Sequence, residues 1–140
     1  MTGFALADSR LDFLLGEWKG ESASAAGGGF SFERQLDGKI VVRKNHSIAQ
    51  DGSRHEDLMI VYTDSDKPNA VYFDNEGHVI RYQILFEGLR VIFQSSEGPG
   101  PRYRLTYWPE AKQIVKGQFE VAPPGGAFKS YLSWTSTKVN

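Results

Sequence analysis

The chain has 140 residues, enough for one domain with a real core and too few for two ordinary ones. Sixteen basic and seventeen acidic residues leave a net charge of −1 with no block of like charge, which argues against nucleic acid as a partner. Cysteine is absent, excluding a disulfide framework, thiolate metal sites and cysteine nucleophiles, and suiting a reducing compartment.

In chain order, Met1 to Arg10 lacks a basic stretch leading into a long apolar core, and no apolar run of about 18 residues follows. The expectation is a soluble cytoplasmic protein without a membrane partner. Asp8 or Ser9 caps a short helix, and Leu11, Leu14 and Leu15 share its face until Gly16 stops it. Strands are predicted over Glu17 to Ala25 and Phe30 to Leu36, with Gly27 to Gly29 between them read as a turn. Further runs rich in β-branched and aromatic residues cover Lys39 to Ala49, His55 to Thr63, Ala70 to Asp74, His78 to Phe86 and Leu89 to Ser95. The pattern continues through Arg102 to Trp108, Gln113 to Val121 and Phe128 to Lys138. Asp37-Gly38, Asp51-Gly52, Glu76-Gly77 and Glu87-Gly88 punctuate these runs, since glycine supplies the positive φ of tight hairpins. About ten short strands with no crossover helix and no long return connection predict an all-β fold, a single up-and-down antiparallel barrel over residues 1–140.

Gly16-Glu17-Trp18, just after the short helix, resembles the Gly-x-Trp motif that opens the first strand of lipocalins and their fatty-acid-binding-protein-like (calycin) relatives. The resemblance implies that Trp18 plugs one end of the barrel beneath a basic side chain from the last strand. Lipocalins carry arginine there; this chain offers Lys138 first and Lys129 second. The run Leu14 to Gly20 is also similar to the start of nitrobindin, a ten-stranded haem-binding barrel whose proximal ligand is a histidine near the C-terminus. Here the last histidine is His78, so haem would need another ligand, and no cofactor is expected. The runs Gly77 to Tyr82 and Phe119 to Gly125 resemble small bacterial barrels of unassigned activity, a likeness that supports the fold alone.

Barrel strands alternate between lumen and solvent, so turn register decides which side chains meet. A three-residue loop with Gly77 in the left-handed region sets Asp74 opposite His78, and His78, Ile80, Tyr82 and Ile84 are expected to face the lumen. The same reading of Gln50 to Gly52 sets Asn45 opposite Asp57 and Ser47 opposite His55, giving one face with Val41, Arg43, Asn45, His55, Asp57, Met59 and Val61. A two-residue turn instead pairs His46 with Asp57. Leu58, Ile60 and Tyr62 are at least as apolar, so the lumenal side of this strand stays open. The candidate ligand-binding residues are Arg43, Asn45, His55, Asp57, Met59, Asp74, His78, Ile80, Tyr82, Phe93 and Arg104.

A histidine beside a carboxylate in an apolar cup orients a polar ligand or acts as a base, whereas on a solvent face it is an ordinary cross-strand pair. No Gly-x-Ser-x-Gly elbow, phosphate-cradling glycine loop or short-spaced zinc motif is present, so no metal is expected. The leading expectation is a barrel that carries or sequesters a small hydrophobic or aromatic molecule without catalysing a reaction. An isomerase- or cyclase-type enzyme using a lumenal His/Asp pair is the alternative, haem binding the lesser one, and a ligand-free barrel that self-associates, as a homodimer, or binds a partner is a fourth reading.

Overall fold

The computed structural model describes residues 7–21 and 25–139. A 3-10 helix, Ser9–Leu14, precedes ten strands. These are β1 (Gly16–Glu21), β2 (Ala25–Gln35), β3 (Ile40–Ala49), β4 (Arg54–Asp64), β5 (Lys67–Asp74), β6 (Val79–Glu87), β7 (Arg90–Ser95), β8 (Arg102–Ala111), β9 (Ile114–Ala122) and β10 (Lys129–Lys138). Each pairs antiparallel with its neighbours in sequence, and β1 closes on β10 to complete a barrel. Closure leaves no unpaired sheet edge.

The helix is one tight 3-10 segment because its apolar residues are three apart. Leu11 and Leu14 eclipse on the inner side and are fully buried, while Leu15 is already extended. Asp8 caps it, its carboxylate accepting the Arg10 backbone N–H at 2.9 Å. Trp18 follows at the same end of the barrel, buried, its indole N–H donating to the Leu14 carbonyl at 2.7 Å. Lys138, in register with Trp18, holds its ammonium 5.9 Å from the ring centroid, so Lys138 and not Lys129 is the basic partner. Gly16, at φ +118°, makes room for it, since a Cβ there would lie 2.7 Å from Lys138 Cε.

The predicted strands are all present, with three local corrections. Gly27 to Gly29 are not a turn but part of β2, running beside β1 and β3. A Cβ would fall 2.8 Å from the His46 carbonyl oxygen at Gly28 and 2.6 Å from that of Trp18 at Gly29, so close strand approach explains these glycines. The predicted first strand stops at Glu21, and residues 22–24 lie outside the described residues. β5 starts at Lys67, earlier than expected, because Ser65 and Asp66 adopt positive φ without glycine and make a two-residue turn.

All the hairpins at one end, together with the helix, surround a packed core of Leu11, Leu14, Phe32, Val41, Met59, Val61, Val91, Phe93 and Tyr107. The turns 50–53 and 75–78 and the connections 96–101 and 123–128 ring the other end. No helix among the described residues is long and apolar enough to cross a membrane.

Candidate functional site

At that second end the lumen is not filled. A cavity of about 660 Å³ opens there, within the range typical of small-molecule sites. Its polar wall comes from β3, β4 and β5, and register explains why. The loop Gln50 to Gly52 closes by an Ala49 N–H bond to the Ser53 carbonyl at 2.9 Å, which sets Asn45 opposite Asp57 and Ser47 opposite His55. Val41, Arg43, Met59 and Val61 are buried on the same face, so that face is the lumen, and Leu58, Ile60 and Tyr62 point the other way.

Asp57 is the hub of this wall. One carboxylate oxygen accepts the Arg43 Nη1 in a buried ion pair, and the other accepts Asn45 Nδ2 at 2.8 Å and faces His55 Nε2 at 2.8 Å. Arg43 Nε donates to the Tyr107 hydroxyl at 2.9 Å, joining the network to the packed core. A second carboxylate stands one strand over, directly opposite Asp57 in register. Asp74 accepts the Tyr72 hydroxyl at 3.0 Å and the His78 backbone N–H at 3.0 Å, with His78 Nδ1 2.9 Å away. The Tyr72 hydroxyl also lies 3.3 Å from His55 Nε2 and links the two groups.

The electrostatics follow from these partners. Burial pushes the Asp57 carboxyl up, but Arg43, His55 and Asn45 outweigh it and hold it below the usual carboxylate range. Asp74 likewise loses solvent, yet the His78 and Tyr72 donors bring it down to about 2. The Asp57 hydrogen bond raises His55 against partial desolvation, with Glu76 adding to it. Tyr72 and Tyr82 are pushed up, chiefly by burial. Since Asp57 is a carboxylate and Tyr72 gives its proton to Asp74, both groups near His55 Nε2 accept. Neutral His55 therefore carries its hydrogen on Nε2 and leaves Nδ1 as its basic nitrogen.

The opposite wall has different chemistry. In a ring of ten strands β9 stands across from β4, and β8, β9 and β10 present Tyr103, Leu105, Phe119, Leu132 and Trp134 to the cavity. Tyr103 stacks on Phe119 with centroids 5.9 Å apart, and exposed Tyr131 meets Phe119 edge-on at the rim. The cup is thus two-faced, ionic and hydrogen-bonding on one side and aromatic on the other.

Of the residues singled out from sequence, Arg43, Asn45, His55, Asp57, Asp74, His78, Ile80 and Tyr82 border the cavity, His78 at its exposed rim. Met59 and Phe93 face inward but lie below the cavity in the packed core, fully buried. Arg104 is a correction: it is on the outer face, pairing with Glu120 at 2.9 Å across β8 and β9 and lying 4.1 Å over the Phe128 ring. Period two on β8 gives the reason, because Tyr103, Leu105 and Tyr107 occupy the lumenal side. Tyr72 joins the site as well, its place two residues before Asp74 putting both on one face. Tyr107, within the predicted run Arg102 to Trp108, is the partner of Arg43.

A closed ten-strand antiparallel barrel with a ligand-sized, two-faced cavity at one end is the class of protein that this fold and site define. A scan of known protein families and a search of curated proteins found no match to the chain. Among the described residues no three His, Asp or Glu side chains cluster so as to hold a metal ion.

Proposed function

We propose that the protein is a calycin-like barrel, of the lipocalin and fatty-acid-binding-protein type, that binds a small, largely apolar or aromatic molecule in the open half of its lumen. The single observation that carries this reading is the two-faced cavity of about 660 Å³. Leaving a space of that size unfilled in a barrel this small forgoes packing that a structural role alone would favour. A flat hydrophobic body fits between the aromatic wall and Ile80, while a polar end reaches the network around Asp57. Arg43 is already neutralised by Asp57, so the ligand needs little net charge.

The probe 1-anilinonaphthalene-8-sulfonate tests this. It has an aromatic body, its fluorescence rises on leaving water, and its binding is expected to quench Trp134, which borders the cavity. Ile80→Trp narrows the cup opposite the aromatic wall and is expected to weaken binding at least about tenfold while the barrel stays folded, any overpacking costing about 1–3 kcal/mol. Unchanged affinity in that variant, or native mass spectra and titrations showing no uptake of any apolar probe, would defeat the reading.

A further inference from the structure

Binding alone leaves Tyr82 unexplained. Its side chain is 3% exposed, and its ring packs edge-on against Tyr72 and Phe93 with centroids 6.5 and 6.2 Å apart. Its hydroxyl nevertheless makes no hydrogen bond among the described residues, and the residue borders the cavity. Tyr82 is not among the buried polar atoms left without a partner, so its hydroxyl opens on the cavity and is satisfied by whatever occupies it. The charges of Arg43 and Asp57 act on it through space.

His55 lies on the same wall, with Tyr72 between it and Tyr82, touching both. Its ring is one-third exposed and borders the cavity. Asp57, fixed by Arg43 and Asn45, holds Nε2, and Nδ1, with the Glu76 carboxylate 3.6 Å away at the rim, is the nitrogen left to accept a proton. A base oriented by a buried carboxylate, together with an unpartnered hydroxyl donor in one apolar cup, is more than retention of a ligand requires.

We propose that the cup is a proton-transfer site, in which His55 Nδ1 takes a proton from an activated carbon of a planar aromatic or conjugated ligand while the Tyr82 hydroxyl donates to the oxygen that gathers the negative charge. The inference rests on the reading that such a ligand enters the lumen. The C–H bond breaks and an N–H bond forms on His55. The electron pair passes through the ligand's π system to its oxygen, held by Tyr82. Return of the proton to a different carbon gives an isomer, with no oxidant, reductant or cofactor consumed.

The test uses 5-nitrobenzisoxazole, a planar aromatic carbon acid. Loss of its C–H proton breaks the N–O bond, forms a nitrile and leaves the electron pair on a coloured phenolate. The wild-type protein is expected to accelerate this saturably by about 100-fold or more over buffer at equal pH. His55→Gln is expected to lose at least about tenfold in kcat, and Tyr82→Phe about tenfold, both still binding the probe saturably by tryptophan quenching. The rate should rise with pH as His55 loses its proton. The groups facing that ring are Asp57 on β4, Ser47 on β3, Tyr72 and Asp74 on β5 and Glu76 in the following turn, its carboxylate 3.6 Å from Nδ1. Glu76→Gln removes one of these charges and is expected to move the midpoint to lower pH. Probe that binds but is not turned over, or a wild-type rate in His55→Gln or Tyr82→Phe, overturns the inference and leaves the binding reading standing. Failure of both this probe and 1-anilinonaphthalene-8-sulfonate to bind defeats the binding reading itself.

Discussion

The two ends of the barrel are built from the same strands and have opposite chemistry. Climbing β3 on its lumenal side, Val41 gives way to Arg43 and then Asn45; climbing β4 from the other direction, Val61 and Met59 give way to Asp57 and His55. At the Trp18 end each position adds apolar area to a packed core, and the polar indole N–H is satisfied by a backbone carbonyl. At the open end β3 and β4 instead add a charge or a donor at each inward position, facing the aromatic wall of β8 to β10 across open space. Depth along the barrel, not strand identity, therefore separates the part that stabilises the fold from the part available to a ligand.

The largest expected effect compares one phenylalanine from each end. Phe93 is fully buried among Tyr82, Tyr107 and the aliphatic core, so Phe93→Ala is expected to destabilise by about 4 kcal/mol, combining lost transfer energy with a cavity that cannot collapse. Phe119 is half-buried on the aromatic wall and already borders open space. Its replacement by alanine is expected to cost only about 1–2 kcal/mol. Urea unfolding of both variants measures the difference, and equal losses would mean that the open wall is as structural as the core.

Next in size is the junction between the two ends, the pair of Arg43 and Asp57. Arg43→Met leaves a buried carboxylate without its cation and is expected to cost about 3 kcal/mol, the low end for such a break because Asn45 and His55 still donate. The double variant Arg43→Met with Asp57→Leu removes both charges and should recover most of that loss, since two apolar groups avoid the desolvation that the pair must offset. A double variant no more stable than Arg43→Met alone would show that the network holds the upper barrel together rather than furnishing the cup. Expanding the comparison to ligand binding sharpens it, because the double variant should fold and yet bind polar-ended ligands poorly.

The sequence made the closed end more legible than the open one, for a physical reason. Spacing alone identifies the leucines of the 3-10 helix, and the Gly-x-Trp resemblance leads to Trp18 and Lys138. Glycine turns yield the register that brings Asp74 to His78 and leave two for Asp57, opposite Asn45 or His46, of which the structure takes the first. What spacing cannot decide is which face of an amphipathic strand is inside when both are apolar, and β4 carries Leu58, Ile60 and Tyr62 outward as readily as Met59 and Val61 inward. A buried arginine inverts the usual pattern, so Arg43 is no guide to sidedness, and Arg104, equally charged, belongs to the outer wall. The Ser65–Asp66 turn shows no glycine, and the glycines of β2 look like a loop until their neighbours are in place. Tyr72 and Tyr107 become part of the site only through partners on other strands, which no local pattern reveals.

The smallest effect concerns pH and separates the groups within the open end. Asp57 and Asp74 are held below their ordinary range, so their contribution to stability is present above about pH 4 and is lost as pH falls through their lowered values, about 2 for Asp74. His55 behaves oppositely. Its folded value lies above the ordinary value of about 6.5, so its contribution is complete below that pH and disappears as pH rises through the folded value. With the ring one-third exposed, solvent weakens the effect. The melting temperatures of the wild type and His55→Gln, followed from pH 5 to pH 9, should differ most at the acid side and converge toward the alkaline side. A gap that widens with pH would mean that neutral His55 is the form the fold prefers, and that the carboxylates around it do not act as the geometry of the cup implies.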